Sequence, residues 1–351
     1  MKTLDVLKVL KITDGRAGHI TITDGIISAI QKTHQVEIVT MEISIRTKFF
    51  LRILRFILRY NFLNNRFVLN DFFIKLFYKN YHKLDHKIDL IISTGGDTLF
   101  MNIWLCYMLG VKNIFSGSLR GINQKYFFLI LSNINAKNCI NLSIAPTRMI
   151  DENDLHQQVK YFCNEKKIDN NRKYFVLLIG GDGGGYKYDE DDYYELVNNF
   201  MSLVEKHKAK ALITTSRRTG LKYEKLLKKL FSKYSDDIAY SVYFGQNPEK
   251  IVAVYLELAS IVFVTEESGS MITESLLYKK PVFTLSPKNI KEQKKYKLFL
   301  NDLVEKQRIN RLAIQSNLSD INLDNFVFKY IEKLPIEELS EKLQPFLKEI
   351  K

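Results

Sequence analysis

Val262-Phe263-Val264-Thr265-Glu266-Glu267-Ser268-Gly269-Ser270-Met271-Ile272-Thr273-Glu274-Ser275 sets the fold class of this chain. A short, β-branched apolar run of the kind that forms a buried strand stops at Thr265. A small polar turn follows, then a helix-like stretch to about Tyr278 and a second apolar run from Pro281 to Leu285. Strand, turn, helix and strand in this order are the repeating element of a parallel sheet. The turn sets small residues and N–H groups at a helix N-terminus, where a phosphate can sit. One turn into the helix, the Glu274 carboxylate can accept hydrogen bonds from ribose hydroxyls. Two readings fit. One is an ordinary connection capped by Ser268 or Ser270. The other is a nucleotide-sugar site held by Glu267, Ser268, Gly269, Ser270, Met271 and Glu274.

The same rhythm fills the second half. The apolar run Lys173 to Ile179 leads into Gly180-Gly181-Asp182-Gly183-Gly184-Gly185, whose five glycines in six positions can form a nest of N–H groups for a pyrophosphate. An amphipathic helix is expected over about Asp191 to Lys208. The strand Ala211 to Thr215 ends in Ser216-Arg217-Arg218-Thr219-Gly220, and paired arginines at a strand end can clamp phosphate oxygens. A helix from Leu221 to Lys233, a strand from Ile238 to Val242 and a helix opened by Gly245-Gln246-Asn247-Pro248 follow. Residues 291 to 351 read as basic and helical, with no site chemistry.

The first half alternates likewise. The strand Val6 to Ile12 runs into Thr13-Asp14-Gly15-Arg16-Ala17-Gly18-His19, ahead of a helix expected from about Thr21 to Lys32. Asp14, Arg16 and His19 set three ionisable groups in a loop where Gly15 and Gly18 allow close approach. This is not the spacing of a dinucleotide fingerprint. The strand Ile88 to Ser93 runs into Thr94-Gly95-Gly96-Asp97-Thr98, a second glycine-rich turn, and the helix Leu99 to Leu109 carries the only tryptophan, Trp104. In open α/β sheets ligands lie at such strand ends. A break between about Ala145 and Arg172 divides the chain. The expectation is an α/β fold of two Rossmann-like, doubly wound domains facing across a cleft, covering 1–160 and 170–335, with a terminal helix over 336–351.

Composition narrows the function. The formal net charge of +13 favours an anionic partner. No apolar run is long enough to span a bilayer, and Asp5, Lys8 and Lys11 interrupt any signal-peptide core. Three widely spaced cysteines suit a reducing compartment and lack metal-ligand spacing, so no metal is expected. From Arg46 to Lys87, ten Lys and Arg stand against two Asp, interleaved with Phe, Leu, Ile and Tyr. Arg52, Arg55 and Arg59 fall on one helical face. Such a segment fits an anionic membrane surface. No motif supports binding of nucleic acid.

Four stretches taken together resemble a family: Asp14 to His19, Gly180 to Tyr186, Thr214 to Thr219 and Glu267 to Glu274. It is the bacterial family named after the plant elongated-mitochondria fission protein, a name that describes an organelle phenotype rather than a chemistry. Its pattern is similar in turn to B-type glycosyltransferases, such as the enzyme that adds GlcNAc to the lipid-linked peptidoglycan precursor. The resemblance implies no obligatory metal and no cofactor beyond a nucleotide-sugar co-substrate. It implies a donor held by the C-terminal domain at Gly180, Gly181, Asp182, Gly183, Gly184, Ser216, Arg217, Arg218 and the Glu267 to Glu274 stretch. Carried over by position, Gly15 and Gly18 would face the acceptor, with His19 the candidate base; the reading of the loops themselves adds Arg16, Gly95, Gly96 and Thr98 to the acceptor side. The loop departs from the family pattern in one respect, since no glutamine follows the histidine in His19-Ile20-Thr21-Ile22-Thr23.

The leading expectation is sugar transfer to an acceptor hydroxyl by a protein lying peripherally on the inner face of the cytoplasmic membrane. His19, Asp14 or Asp97 would take the acceptor proton, and the acceptor would be a cell-envelope glycan or lipid. Arg217, Arg218 and helix N-termini would stabilise the leaving nucleotide. The run Asp189 to Asp192 reads as an acidic helix start rather than a metal pair. The alternatives are a two-domain nucleotide-sugar epimerase and a non-catalytic, membrane-bound adaptor on the same fold.

Overall fold

The computed structural model describes residues 6–60, 62–64, 68–84, 87–132, 138–142, 144–147, 151–291 and 293–350. The chain forms two compact units: Met1–Arg148 together with Lys333–Lys351, and Met149–Glu332. Each is built on a parallel sheet of six strands covered by helices.

In the second unit the strands lie in the order Ile238–Val242, Lys210–Thr215, Tyr174–Ile179, Ala259–Thr265, Val282–Ser286, Asn310–Ala313. Numbered along the chain this is 3-2-1-4-5-6, the Rossmann order, and it reverses direction between Tyr174–Ile179 and Ala259–Thr265. All six residues of Tyr174–Ile179 are buried, as a strand with helices on both faces must be. Each such apolar side chain contributes roughly 1.5–3 kcal/mol by leaving water. The register pairs Leu178 with both Thr214 and Val264. Gly180, Ser216 and Glu266 therefore leave the sheet side by side, at the point where the order reverses.

In the first unit the order is Val36–Glu42, Leu7–Thr13, Leu90–Thr94, Lys112–Ser116, Leu129–Leu131, Cys139–Ile140. The reversal falls between Leu7–Thr13 and Leu90–Thr94. Ile12 pairs with Ser93, and Thr94 with Ser116, so the Asp14 and Gly95 loops also emerge as neighbours.

Several expectations change. The two units divide between Arg148 and Met149, inside the break expected over 145–172, and most of the rest of that range is the helix Glu152–Lys166, whose Phe162 packs edge-on against Tyr240 and Tyr255 of the second unit; residues 148–150 lie outside the described ones. The terminal helix is Pro335–Leu347, and it belongs to the first unit, where Leu339, Leu343 and Leu347 join the core under Ile26 and Ile30. The helix after the first strand starts at Ala17, so Gly18 sits in its first turn rather than in a loop. No helix starts at Pro248; the next one is Val252–Leu258. The residues before Pro248 are held in a turn, with the Phe244 N–H donating to Thr215 and the Gly245 N–H to the buried Glu224 carboxylate.

Within the basic segment, the helix Phe50–Arg59 buries Leu51, Leu54, Ile57 and Leu58 and exposes Arg52, Phe56 and Arg59. Phe49, Tyr60, Phe72 and Leu76 are also exposed. Residues 61, 65–67, 85 and 86 of the segment lie outside the described ones. Among the described residues no helix is long and apolar enough to cross a membrane.

Gly25 admits a close backbone approach in the first unit. A Cβ there would collide with the Pro146 carbonyl oxygen, an atom that cannot swing aside. Gly25→Ala is expected to destabilise the first unit by about 1–3 kcal/mol, as overpacking does. Thermal unfolding followed by Trp104 emission checks this, and an unchanged midpoint would contradict the packing described.

Candidate functional site

The turn between Ala259–Thr265 and the helix Gly269–Leu277 lies at the reversal point of the second sheet. The Glu266 N–H donates to Leu285 O at 2.9 Å, and Ser268 occupies the N-cap position of the helix Gly269–Leu277. The expected serine cap is missing, because the Ser268 side chain makes no capping hydrogen bond. Ser268 is buried, Ser270 exposed and Met271 half-buried. The first N–H groups of this helix thus keep their donor capacity and their partial positive charge.

Glu274 lies one turn further on. It is half-buried, and none of the described residues donates a hydrogen bond to it or pairs with it. Burial pushes its carboxyl up to about 7. A carboxylate left with its acceptor capacity open beside an uncapped helix end is equipped to receive hydroxyl donors.

Glu266 and Glu267 have other duties. Both side chains are fully buried. The Glu267 carboxylate accepts from the Gly181 N–H at 3.0 Å, the Tyr188 hydroxyl at 2.7 Å and Arg218 Nη2 at 3.2 Å. Burial raises its pKa against the pull of those donors. Glu266 accepts two hydrogen bonds from Arg311, at 2.8 and 2.6 Å, and one each from Tyr186 and Thr284. The Tyr296 hydroxyl donates to its carbonyl oxygen at 2.6 Å. Buried charges persist only when paired and hydrogen-bonded in this way. The two carboxylates fix the turn from below, so Glu267 supports the site rather than facing a ligand.

The glycine loop departs from its expected role as a nest. The Gly180 N–H donates to Thr265 Oγ1, the Gly181 N–H to Glu267 and the Gly183 N–H to Tyr186 O. Asp182 accepts from the Tyr188 N–H at 3.0 Å. Three of the expected anion-binding amides are therefore engaged within the protein. Glycine is needed at 180 and 181 because a Cβ would run into the Glu267 carboxylate or the Arg218 carbonyl. Gly184 completes the tight turn in the left-handed region, at φ 61°.

The arginine pair is split. Arg218 is committed to Glu267, while Arg217 is exposed and has no partner among the described residues. Ser216 shapes the turn, its hydroxyl accepting from the Arg218 N–H at 3.2 Å. Asp189 and Asp192 form a reciprocal capping box on the helix Glu190–Lys206, as an acidic helix start should.

In the first unit, the loops after Leu7–Thr13 and Leu90–Thr94 bring the candidate bases together. The His19 Nδ1 lies 2.9 Å from Asp14 Oδ2. Burial alone would raise the Asp14 carboxyl, but the His19 hydrogen bond and charge outweigh it, aided by Arg16, and hold it below the usual range. Arg16 Nη2 donates to Asp97 at 2.7 Å. Asp97 is thus tied up in an ion pair, and its carbonyl accepts from the Tyr78 hydroxyl at 3.0 Å. The imidazole lies over Gly95, where any Cβ would run into the ring. Arg120 lies against Gly96 in the same manner. Thr98 is buried and donates to Thr94 O and Gly95 O, holding the loop shut. Gly15 takes φ 75°, and Gly18 has open space around it.

Sequence reading missed Arg311, Tyr296 and Glu224, and gave Tyr186 no role of its own. Only the pairing of Asn310–Ala313 with Val282–Ser286 brings Arg311 to Glu266, and no local pattern around it announces that.

A family model described as mitochondrial fission ELM1 matches residues 131–333, more than half of the chain. No curated protein matches by sequence. Among solved structures, the chain is similar to the UDP-GlcNAc 2-epimerase of Methanocaldococcus jannaschii, at 13% identity and TM-score 0.59, over 98% of this chain and 99% of that one. It is similar to the UDP-GlcNAc 2-epimerase of Neisseria meningitidis, solved with UDP-GlcNAc bound, at 12% identity and TM-score 0.57, over 98% and 100%. A glycosyltransferase from Rickettsia africae matches at 10% identity and TM-score 0.50, over 99% and 94%. At these identities the likeness concerns the fold, which is that of B-type glycosyltransferases and two-domain epimerases.

Proposed function

This chain belongs to the mitochondrial fission ELM1 family, and on that premise we propose that it is a glycosyltransferase that uses a nucleotide-sugar and needs no resident metal or cofactor. The observation that carries the reading is Glu274, an unpartnered, desolvated carboxylate one turn into a helix whose first N–H groups are uncapped. The helix end receives the diphosphate and Glu274 accepts from the ribose hydroxyls. Arg217 is the free guanidinium for the leaving phosphate; Arg218, bound to Glu267, positions the turn.

In the reaction the acceptor oxygen bonds to the anomeric carbon as the bond from that carbon to the diphosphate oxygen breaks. His19 takes the acceptor proton on Nε2. Asp14 receives the Nδ1–H and stabilises the imidazolium that forms. The electron pair of the broken bond leaves on the nucleotide, whose charge the helix end and Arg217 balance. The exposed aromatics Phe49, Phe56 and Tyr60, with Arg52 and Arg59, support a peripheral seat on an anionic membrane at its cytoplasmic face. That location favours a glycan or lipid of the cell envelope as acceptor.

Binding should follow the titration of Glu274. Hydroxyls donate to the carboxylate and not to its protonated oxygen. With a carboxyl near 7, affinity for the nucleotide-sugar is expected to be about tenfold weaker at pH 6 than at pH 8. Glu274→Gln should bind weakly at both. The ligand-free protein has the opposite dependence. A carboxyl raised in the folded state stabilises most below its unfolded value, and that stability is lost as pH rises through about 7. Calorimetric titration with UDP-, GDP-, dTDP- and CMP-sugars is the measurement. Equal affinity at both pH values would remove Glu274 from the site, and no binding of any nucleotide would favour the adaptor.

The likeness to two epimerases supports a second reading, a nucleotide-sugar epimerase with no acceptor. Product analysis with a labelled donor separates the two, since free epimerised sugar nucleotide appears only in the second case.

A further inference from the structure

Apart from the loops that carry His19, the first unit contains a cavity of about 310 Å³ beneath the helix Leu99–Leu109. That volume lies at the lower end for a ligand pocket and far above an ordinary packing void. Trp104, Leu69, Leu84, Leu105 and Met108 give it apolar walls. Three of its polar wall groups have partners. The Trp104 indole N–H donates to Val68 O at 2.7 Å, the Tyr81 hydroxyl to Asp71 at 2.7 Å, and the Asn70 side-chain oxygen accepts from the Phe72 N–H at 2.8 Å. The larger part of its wall is apolar, which suits a hydrocarbon chain.

Its setting indicates which hydrocarbon. Met108 stays 38% exposed and Leu109 39%, so the wall opens to solvent on that side. Lys83 is an exposed lining residue with no partner among the described residues. The helix Asp71–Phe77, which contributes Asp71 to the wall, turns Phe72 outward with 66% of its surface exposed. A hollow with mostly apolar walls, a lysine with no partner among the described residues, a single carboxylate, Asp71, already bound to the Tyr81 hydroxyl, and an outward phenylalanine beside it match an anionic amphiphile in both chain and charge.

We propose that this cavity takes an acyl chain of an anionic phospholipid from the bilayer, with Lys83 meeting the headgroup. The proposal rests on the membrane-surface part of the reading above and adds to it a defined seat for one lipid chain.

Trp104 makes the test direct, because it is the only tryptophan, is fully buried and lines the cavity. Vesicles of phosphatidylglycerol brominated along its acyl chains are mixed with the full chain. Sedimentation reports attachment, and Trp104 emission reports entry of the chain, since bromine quenches on contact. The expected result is co-sedimentation with loss of at least half the emission. Met108→Arg sets a charge on an exposed wall position and should abolish the quenching while sedimentation persists. Soluble 9,10-dibromostearate should quench the native protein saturably and the variant at least tenfold more weakly. Sedimentation without quenching would overturn the cavity as a lipid seat and leave membrane attachment standing. Quenching that Met108→Arg does not change would also overturn it. Failure to sediment at all would overturn the membrane reading and the proposal with it.

Discussion

His19→Ala is expected to lower the rate of sugar transfer by about 10²–10⁴-fold, the usual contribution of a positioned general base. Affinity for the nucleotide-sugar should not change, because the donor groups proposed here lie in the other unit. Asp14→Asn should do less damage and should change the shape of the pH–rate profile. It removes the carboxylate that holds the Nδ1–H, with Nδ1 and Oδ2 now 2.9 Å apart, and that stabilises the imidazolium. Steady-state kinetics with a saturating donor separate turnover from binding. A His19→Ala protein that transfers sugar at near-native rate would exclude the imidazole as the base. Asp97 could not readily replace it, being paired with Arg16.

The second large effect concerns stability. Arg311→Met leaves the fully buried Glu266 carboxylate with two hydroxyl donors and no cation. Removing one partner of a buried ion pair typically costs about 3–5 kcal/mol. Arg311→Lys should recover only part of this, since an ammonium cannot reproduce the two-pronged contact of 2.8 and 2.6 Å. Combining Arg311→Met with Glu266→Gln should restore much of the loss by removing the stranded charge. Urea unfolding followed by circular dichroism reports both units, while Trp104 emission reports the first alone. A loss below about 1 kcal/mol would place this pair among ordinary surface salt bridges.

Much of the architecture can be read along the chain because parallel strands buried on both faces appear as continuous apolar runs. Lys173 to Ile179 and Ile88 to Ser93 were plain for this reason, and so were the glycine-bearing turns after them. Roles within the turns were less legible. Gly180 and Gly181 suggest an anion nest from sequence, yet their amides bond to Thr265 and Glu267, residues more than eighty positions away. The adjacent acids Glu266 and Glu267 look equally available, although the fold buries both. Glu274 alone keeps its acceptor capacity, and only packing reveals that. Arg311 stood in a stretch with no motif, because its importance depends on strand order. Proline at 248 suggested a helix start, but tertiary bonds from Thr215 and Glu224 claim the preceding residues for a turn.

The helix Pro335–Leu347 completes the core of the unit that begins the chain. On the ribosome residues 1–148 therefore emerge before the helix that completes their core is made. Leu343 and its neighbours cover apolar surface on Ile26 and Ile30 that stays wet while the intervening 184 residues of Met149–Glu332 are synthesised. That middle portion is continuous and can mature earlier. A chain cut before Lys333 would thus keep the whole of the second unit and leave the unit that carries His19 without the helix that closes its core.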